Sequence, residues 1–362
     1  MAVKSVHTYN IRNLSSQPVD TDAREVFLVG ENGQGKTNFI ECVYLLCVGS
    51  SFRTRQLGRL IFHGATRASV RGIVSNRVVS VQVGREGYKQ IEVDDERVKD
   101  RRQLLETIPC VIFSHDDMHY VTGSPENRRR FIDQTLVYTD EGYIDSFRSY
   151  RKVLKARNMA LKQQRLELID VYDSQLARFG TEIQDSRSRA ATEFNNTFSP
   201  LFERVVQADF GLSIRYDPSW KETAEVGQAL RMLQNNRTKD IRAATTTSGP
   251  HRDDFVFEMQ GKEFRRFAST GQVRLCSLAL KAAQAAFILA STGKAPILLL
   301  DDVLLEIDTI KRRTFVENLP QFDQVFFTFL PDEDFAAYTS NRSIIYTVRQ
   351  GEFILWNRSD RS

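Results

Sequence analysis

The chain has 362 residues, enough for one large or two ordinary domains, and its 41% hydrophobic and 27% charged residues suit a globular protein with a sizeable core. Fifty Lys and Arg against 46 Asp and Glu leave a net charge of only +4, which excludes a polycation, so any nucleic-acid surface must come from local clustering. The four cysteines (Cys42, Cys47, Cys110 and Cys276) lack metal-site spacing with nearby histidines and read as buried thiols of a reducing compartment.

The opening "MAVKSVHTYNIRNL" lacks the apolar stretch of a signal peptide. No run approaches about 18 apolar residues, so no membrane span is expected and the protein reads as cytoplasmic. Next, "EVFLVGENGQGKTNFIECVYLLCVG" reads strand, loop, helix. Phe39, Ile40, Val43, Leu46 and Cys47 recur with helical period. The loop fits G-x-x-x-x-G-K-[ST] in full across Gly30, Glu31, Asn32, Gly33, Gln34, Gly35, Lys36 and Thr37, followed by Asn38. Glycines let successive backbone N–H groups turn toward phosphate oxygens, and the helix N-terminus adds partial positive charge. In such a loop Lys36 reaches the β- and γ-phosphates and the Thr37 hydroxyl ligates Mg²⁺.

From Ala68 to Val98 alternating segments predict antiparallel strands with turns at "REG" and "VDDE", and "IPCVIFSHDD" predicts another strand. The character changes at "TGSPENRRRFIDQTL", where Ser124 suits an N-cap and Pro125 the first helical position. Long polar helices are predicted from there to about Asn236, broken near "FSPLF" and "YDPSW". Between Ser146 and Leu166 lie seven basic residues and no acids: Arg148, Arg151, Lys152, Lys155, Arg157, Lys162 and Arg165. Arg148, Lys152, Lys155 and Lys162 can share one helix face, opposite Phe147, Tyr150, Leu154 and Leu161. Such a stripe suits a phosphate backbone, and equally a solvated face of an ordinary helix. Arg128, Arg129 and Arg130 form a second cluster, which could pair with acids of its own lobe.

Strand character returns in "DDFVFEMQGKEFRRFAS". His251, Arg252, Asp253 and Asp254 just before it could line a nucleotide site or brace a sheet. The helix "QVRLCSLALKAAQAAFILAS" follows, opened by Ser269, Thr270, Gly271 and Gln272. Two acids end the buried strand "APILLLDDV", which is costly unless something uses them. A bound Mg²⁺ is one user, with Asp301 holding the metal and Asp302 polarising an attacking water. A helix cap plus a solvated acid is the other reading. A last strand is "QVFFTFL".

A phosphate loop, an Asp-Asp strand end and an S-x-G-Q helix start together resemble the ABC-type ATPases. Five ordered blocks narrow the resemblance to the RecF family. They are "GENGQGKTNFIECVYLLCVGSSFRT", "FSHDDMHYVTGSPENRRRFID", "SGPHRDDFVF", "ASTGQVRLCSLALK" and "PILLLDDVLLEID". The resemblance implies an α/β fold: an ABC-type P-loop ATPase head, with a mixed sheet flanked by helices, an antiparallel β-subdomain and an inserted helical lobe. It implies head segments at 1–122 and 245–362 around a lobe at 123–244. It implies ATP and Mg²⁺ as cofactors, with Lys36 and Asp302 catalytic and Thr37 and Asp301 at the metal. It also implies an ATP-dependent homodimer in which Ser269, Thr270, Gly271 and Gln272 cap the partner's γ-phosphate. Arg148, Arg151, Lys152, Lys155 and Lys162 would contact duplex DNA, gaps or single-strand–double-strand junctions. RecR- and RecO-type mediators would be partners in loading recombinase, in the cytoplasm and at the nucleoid. Thr270 and Val273 stand where the family usually carries glutamines, and no histidine follows the metal strand. Slow hydrolysis is expected, and an ATP-binding scaffold without appreciable turnover is the alternative.

Overall fold

The computed structural model describes residues 2–100, 102–208, 210–221, 225–305 and 307–356. The chain divides into two compact units: 1–116 together with 288–362, and 117–287.

The first unit begins with β1 (Val3–Tyr9), β2 (Val19–Asp20), β3 (Glu25–Val29), α1 (Lys36–Val48), β4 (Arg67–Val74), β5 (Arg77–Gly84), β6 (Lys89–Val93), β7 (Glu96–Arg97), α2 (Arg102–Thr107) and β8 (Cys110–Phe113). The second holds α3 (Met118–Thr122), α4 (Pro125–Thr139), α5 (Tyr143–Lys162), α6 (Ile169–Val206), β9 (Leu212–Asp217), α7 (Val226–Ala243), β10 (Asp254–Met259) and β11 (Lys262–Glu263). The unit boundary falls inside α8 (Thr270–Thr292). The first unit then resumes with β12 (Ile297–Leu300), α9 (Thr309–Glu317), β13 (Gln324–Phe329), β14 (Ser343–Arg349) and β15 (Glu352–Leu355).

Two sheets build the first unit. One is antiparallel, in the order β2-β1-β4-β5-β6-β7. Its strands β4 and β5 alternate buried valines with exposed polar residues, as a sheet with one solvated face requires. The other is mixed, in the order β15-β14-β3-β13-β12-β8, parallel except for the β14–β15 hairpin. Strands β8, β12 and β13 are buried on both faces, which explains their unbroken apolar runs. Helix α1 packs against β4 of the first sheet and β8 and β13 of the second, so most of its surface is buried. Buried Gln324 joins the sheets: its amide accepts from Val3 N–H at 2.8 Å and donates to the carbonyls of Val3, Thr21 and Ala23.

The second unit differs from the sequence expectation in two places. Helix α6 runs unbroken through "FSPLF". Pro200 lies on the exposed side, so the Asn196 carbonyl that loses its donor faces water. Phe194, Phe198, Leu201, Phe202 and Val205 are buried on the other side and hold the helix together. The stretch before "PSW" is strand β9, paired antiparallel with β10 over six residues. Its alternation, Leu212 and Ile214 inward, is short enough to be hidden among helices.

Helix α8 is long and apolar enough to cross a membrane by length and composition, unlike the sequence expectation, but 72% of its apolar window is buried inside the protein. It therefore reads as a core helix. Helix α4 starts where expected, with Ser124 at the N-cap and Pro125 at the first position, although the serine side chain makes no cap bond.

Candidate nucleotide site

The loop between β3 and α1 is shaped by its glycines and pinned from both sides. Gly33 and Gly35 have φ of 79° and 118°, conformations that side-chain-bearing residues avoid. A Cβ on Gly30 would lie 2.4 Å from the Val348 carbonyl oxygen. The Gly30 N–H donates to Phe329 O at 3.1 Å, and the Gln34 carbonyl accepts from Gly351 N–H at 2.8 Å. On the other flank the Asn13 amide donates to Gly33 O at 3.1 Å and accepts from Asn38 at 2.7 Å. Arg12 donates to Asn38 at 2.7 Å and pairs at 2.9 Å with Glu41, which is buried.

This bracing leaves donors pointing inward. Among the described residues the backbone N–H groups of Gly33, Gly35, Lys36 and Thr37 meet no main-chain acceptor. Lys36 is buried, and among the described residues its ammonium donates to the loop's own carbonyls, Gly30 at 2.5 Å and Glu31 at 3.2 Å. A buried cation inside a ring of unused N–H groups is a cradle for an anion.

The carboxylates stand at the C-terminal end of β12. Thr37 Oγ1 donates to Asp301 Oδ1 at 2.9 Å, joining the loop to that strand. Burial first, then the neighbouring Asp302 charge, push the Asp301 carboxyl up to about 7, against the pull of Thr37, Arg53 and Lys36. A carboxylate that is costly to ionise alone is one that a bound cation would relieve. The Thr37 hydroxyl and the Asp301 carboxylate are oxygen donors of the kind that suits a magnesium ion. Asp302 has φ of 52°, and Thr328 holds it at two points. Its N–H donates to Thr328 Oγ1 at 2.7 Å, and that hydroxyl donates to Asp302 Oδ1 at 2.7 Å.

Ser269, Thr270, Gly271 and Gln272 open α8 in the second unit. The Ser269 hydroxyl accepts from Gln272 N–H at 3.2 Å, and the Gln272 side chain accepts from Ser269 N–H at 2.9 Å. This is a reciprocal capping box. It uses the serine oxygen as acceptor only, so the hydroxyl proton is left to donate. Ser269, Thr270 and Gly271 are exposed.

On α5, Arg148, Arg151, Lys152, Lys155 and Lys162 are all exposed, and Arg151 lies over the Phe147 ring at 5.7 Å. Arg157, within the basic run but outside the stripe, lies elsewhere. It is fully buried, donating at 2.7 Å to Asp173 and to Asp240 and at 2.8 Å to Thr246. Seven residues after Tyr150 and four before Leu161, it shares their inward face. Arg128 makes a two-point bond to Asp254, and Arg129 donates to Asp253 O. Asp253 is buried, where it accepts from Arg187, Gln184, Tyr216 and Ser219 N–H. His251 is held by Tyr150 and Thr246. Of the open alternatives at both clusters, Arg128, Arg129, His251, Asp253 and Asp254 brace their own unit.

Sequence reasoning missed Arg12 and Asn13 as parts of the site, and noted Thr328 in "QVFFTFL" without giving it a role. No motif marks Asn13 or Arg12. Thr328 carried a signal: it is a hydroxyl within an apolar run, in the strand next to the one bearing the acids.

Residues 2–352 match the family model described as RecF/RecN/SMC N terminal domain. The chain is 38% identical to the DNA replication and repair protein RecF of Treponema pallidum (strain Nichols) over 347 residues, 94% of this chain and 98% of the relative. It is 33% identical to that of Clostridium botulinum (strain Loch Maree / Type A3), covering 97% and 99%. A solved structure of the recombination mediator protein RecF-ATP in the RecFOR pathway superposes with a TM-score of 0.88 at 27% identity, covering 98% of this chain and 97% of that one. An Smc head bound to the C-winged helix domain of ScpA superposes at 0.57 with 15% identity over 98% and 97%, a likeness of fold alone.

Proposed function

Because this chain belongs to the RecF family of DNA replication and repair proteins and has the ABC-type ATPase head fold, we propose that it is an ATP-dependent DNA-binding recombination mediator. The observation that carries this reading is the Thr37–Asp301 hydrogen bond at the mouth of the phosphate loop. It joins an anion cradle to a carboxylate suited to a cation. The loop from Gly30 to Asn38 would bind the ATP phosphates through Lys36 and the N–H groups of Gly33, Gly35, Lys36 and Thr37, and Thr37 and Asp301 would hold Mg²⁺. Magnesium, when bound, supplies charge neutralisation on the phosphates. Asp302 would orient the attacking water and accept its proton.

In this reading two chains close on ATP, each offering the Ser269–Gln272 helix start to the phosphate held by the other. The exposed cations of α5 then bind duplex DNA, gaps or single-strand–double-strand junctions through phosphates. Slow, DNA-stimulated hydrolysis resets the pair, which acts with RecR- and RecO-type mediators to load recombinase during repair and recovery of replication gaps. Thr270 within the helix start, and the absence of a histidine after β12, favour a second reading, an ATP-binding scaffold without appreciable turnover.

Mass by light scattering with Mg²⁺ and a slowly hydrolysed ATP analogue, with and without duplex DNA, tests the proposal. A nucleotide-dependent doubling, lost in Lys36→Ala, is expected. A monomer under every condition would reject the clamp and leave the scaffold.

A further inference from the structure

The most one-sided stretch of charge in the first unit lies in its antiparallel sheet, away from every motif considered so far. From Gly49 to Ile91 the chain carries eight Lys or Arg and a single acid, Glu86, although the whole molecule is only +4. Several of these cations are spent on neighbours: Arg53 on Glu41, Arg71 on Asp95 and Arg77 on Asp94. Arg59, Arg67 and Arg85 are different, for among the described residues none has a carboxylate partner.

The fold gathers these three at one end of the sheet. Arg85 donates to the carbonyls of Ala65 at 2.7 Å and Phe62 at 3.4 Å, binding the β5 end to the loop before β4. The Asn10 amide donates to Arg67 O at 3.2 Å, and Phe62 N–H donates to Asn10 O at 2.8 Å, which brings in the end of β1. Gly58, next to Arg59, sits against the Arg85 backbone. Three rings stand open among these cations. Tyr9 is 58% exposed, Phe62 52% and Tyr88 41%, and the Arg67 guanidinium lies over Tyr88 at 5.6 Å.

Exposed rings gain nothing from a duplex, whose bases are stacked and hidden behind its phosphates. They gain from unstacked bases, while nearby guanidiniums neutralise the strand's backbone. We propose that this end of the sheet is a separate binding surface for single-stranded nucleic acid, with Arg59, Arg67 and Arg85 on phosphates and Tyr9 and Phe62 on bases. It rests on the reading of the protein as DNA-binding, and extends it by giving strand and duplex different surfaces on different units.

The test is fluorescence anisotropy on the full chain with three labelled probes: a thymidine oligonucleotide of about 20 residues, its abasic counterpart, and a blunt duplex. Wild type should bind the thymidine strand about tenfold more tightly than the abasic one. Phe62→Ala with Tyr9→Ala, which changes no charge, should erase that preference. Arg59→Ala with Arg67→Ala should weaken strand binding about tenfold, flatten its salt dependence, and leave the duplex within about twofold. Arg148→Glu, Lys152→Glu and Lys155→Glu should do the reverse. Thermal melting and labelled-ATP binding check that each variant is folded. Duplex binding with no strand binding, or strand and duplex lost together in the sheet variants, would overturn this inference alone. Binding of neither probe by wild type would overturn the DNA-binding reading as well.

Discussion

Thr328 holds Asp302 by two hydrogen bonds, and this arrangement sets the direction of the carboxylate to which the proposed function gives the task of orienting water. If Asp302 has that role, Thr328→Val should lower ATP turnover about 10- to 100-fold while leaving nucleotide affinity within about twofold. Thr328→Ser should restore most of the rate, because it returns the hydroxyl without the methyl. Equal loss of rate and affinity in the valine variant would assign Thr328 to packing instead. His251 gives a second prediction at this scale. Its Nε2 faces the Thr246 carbonyl at 3.0 Å, which can only accept, so Nε2 carries the proton and Nδ1 accepts from Tyr150. Burial, the largest cause, and then the charges of Arg252 and Arg129 lower its pKa from 6.5 to about 4, although the Thr246 carbonyl acts in the opposite sense. The unfolded chain therefore takes up a proton below pH 6.5 that the folded chain refuses until about pH 4. The stability this contributes is present above 6.5 and lost as pH falls through that window, by about 3 kcal/mol in all. Denaturant titrations across this range should show the slope, and His251→Gln should reduce it.

Among the elements, α5 shows how two charged faces of one helix take opposite roles. Its outer cations face water, while Arg157 on the inner face is closed in by α6, α7 and the Thr246 loop. Reversing Arg148, Lys152 and Lys155 to glutamate should weaken duplex binding and flatten its salt dependence by about three counterions' worth of slope, with melting little changed. Unchanged affinity and slope would make the stripe a solvated face. Arg157→Ala should instead remove the cation from buried Asp240, which keeps Thr247 as its donor, and one of the two cations from Asp173, which keeps Arg237, and cost about 3 kcal/mol of stability. Spacing along a helix shows which residues share a face, but not which face another helix will cover. That is why the sequence could leave Arg157 off the stripe without showing that its own face is buried. The same limit hid Pro200, whose tolerance depends on Asn196 facing water, and β9, whose two inward residues acquire meaning only beside β10.

At the scale of the whole molecule, what the sequence revealed were the parts whose chemistry is local. The phosphate loop with α1, and β12 with Asp301 and Asp302, lie where the motif and the apolar run put them, because a glycine turn and a fully buried strand each leave their own signature. The parts it concealed are assembled from distant segments: Asn13 against Gly33, Gly351 against Gln34, Thr328 against Asp302. The order β14-β3-β13-β12 carries this further. Strand β3, which launches the phosphate loop, pairs on one side with Val325–Phe329 and on the other with Ser343–Thr347. During synthesis the loop's sequence leaves the ribosome well before its strand's neighbours, Val325–Phe329 and Ser343–Thr347, are made. For most of translation the nascent chain must carry β3 without either partner strand, although α1 can already pack on β4, which makes the β3 edge a natural client for a chaperone. A chain cut short before β13 would then lose nucleotide binding while keeping every residue of the motif.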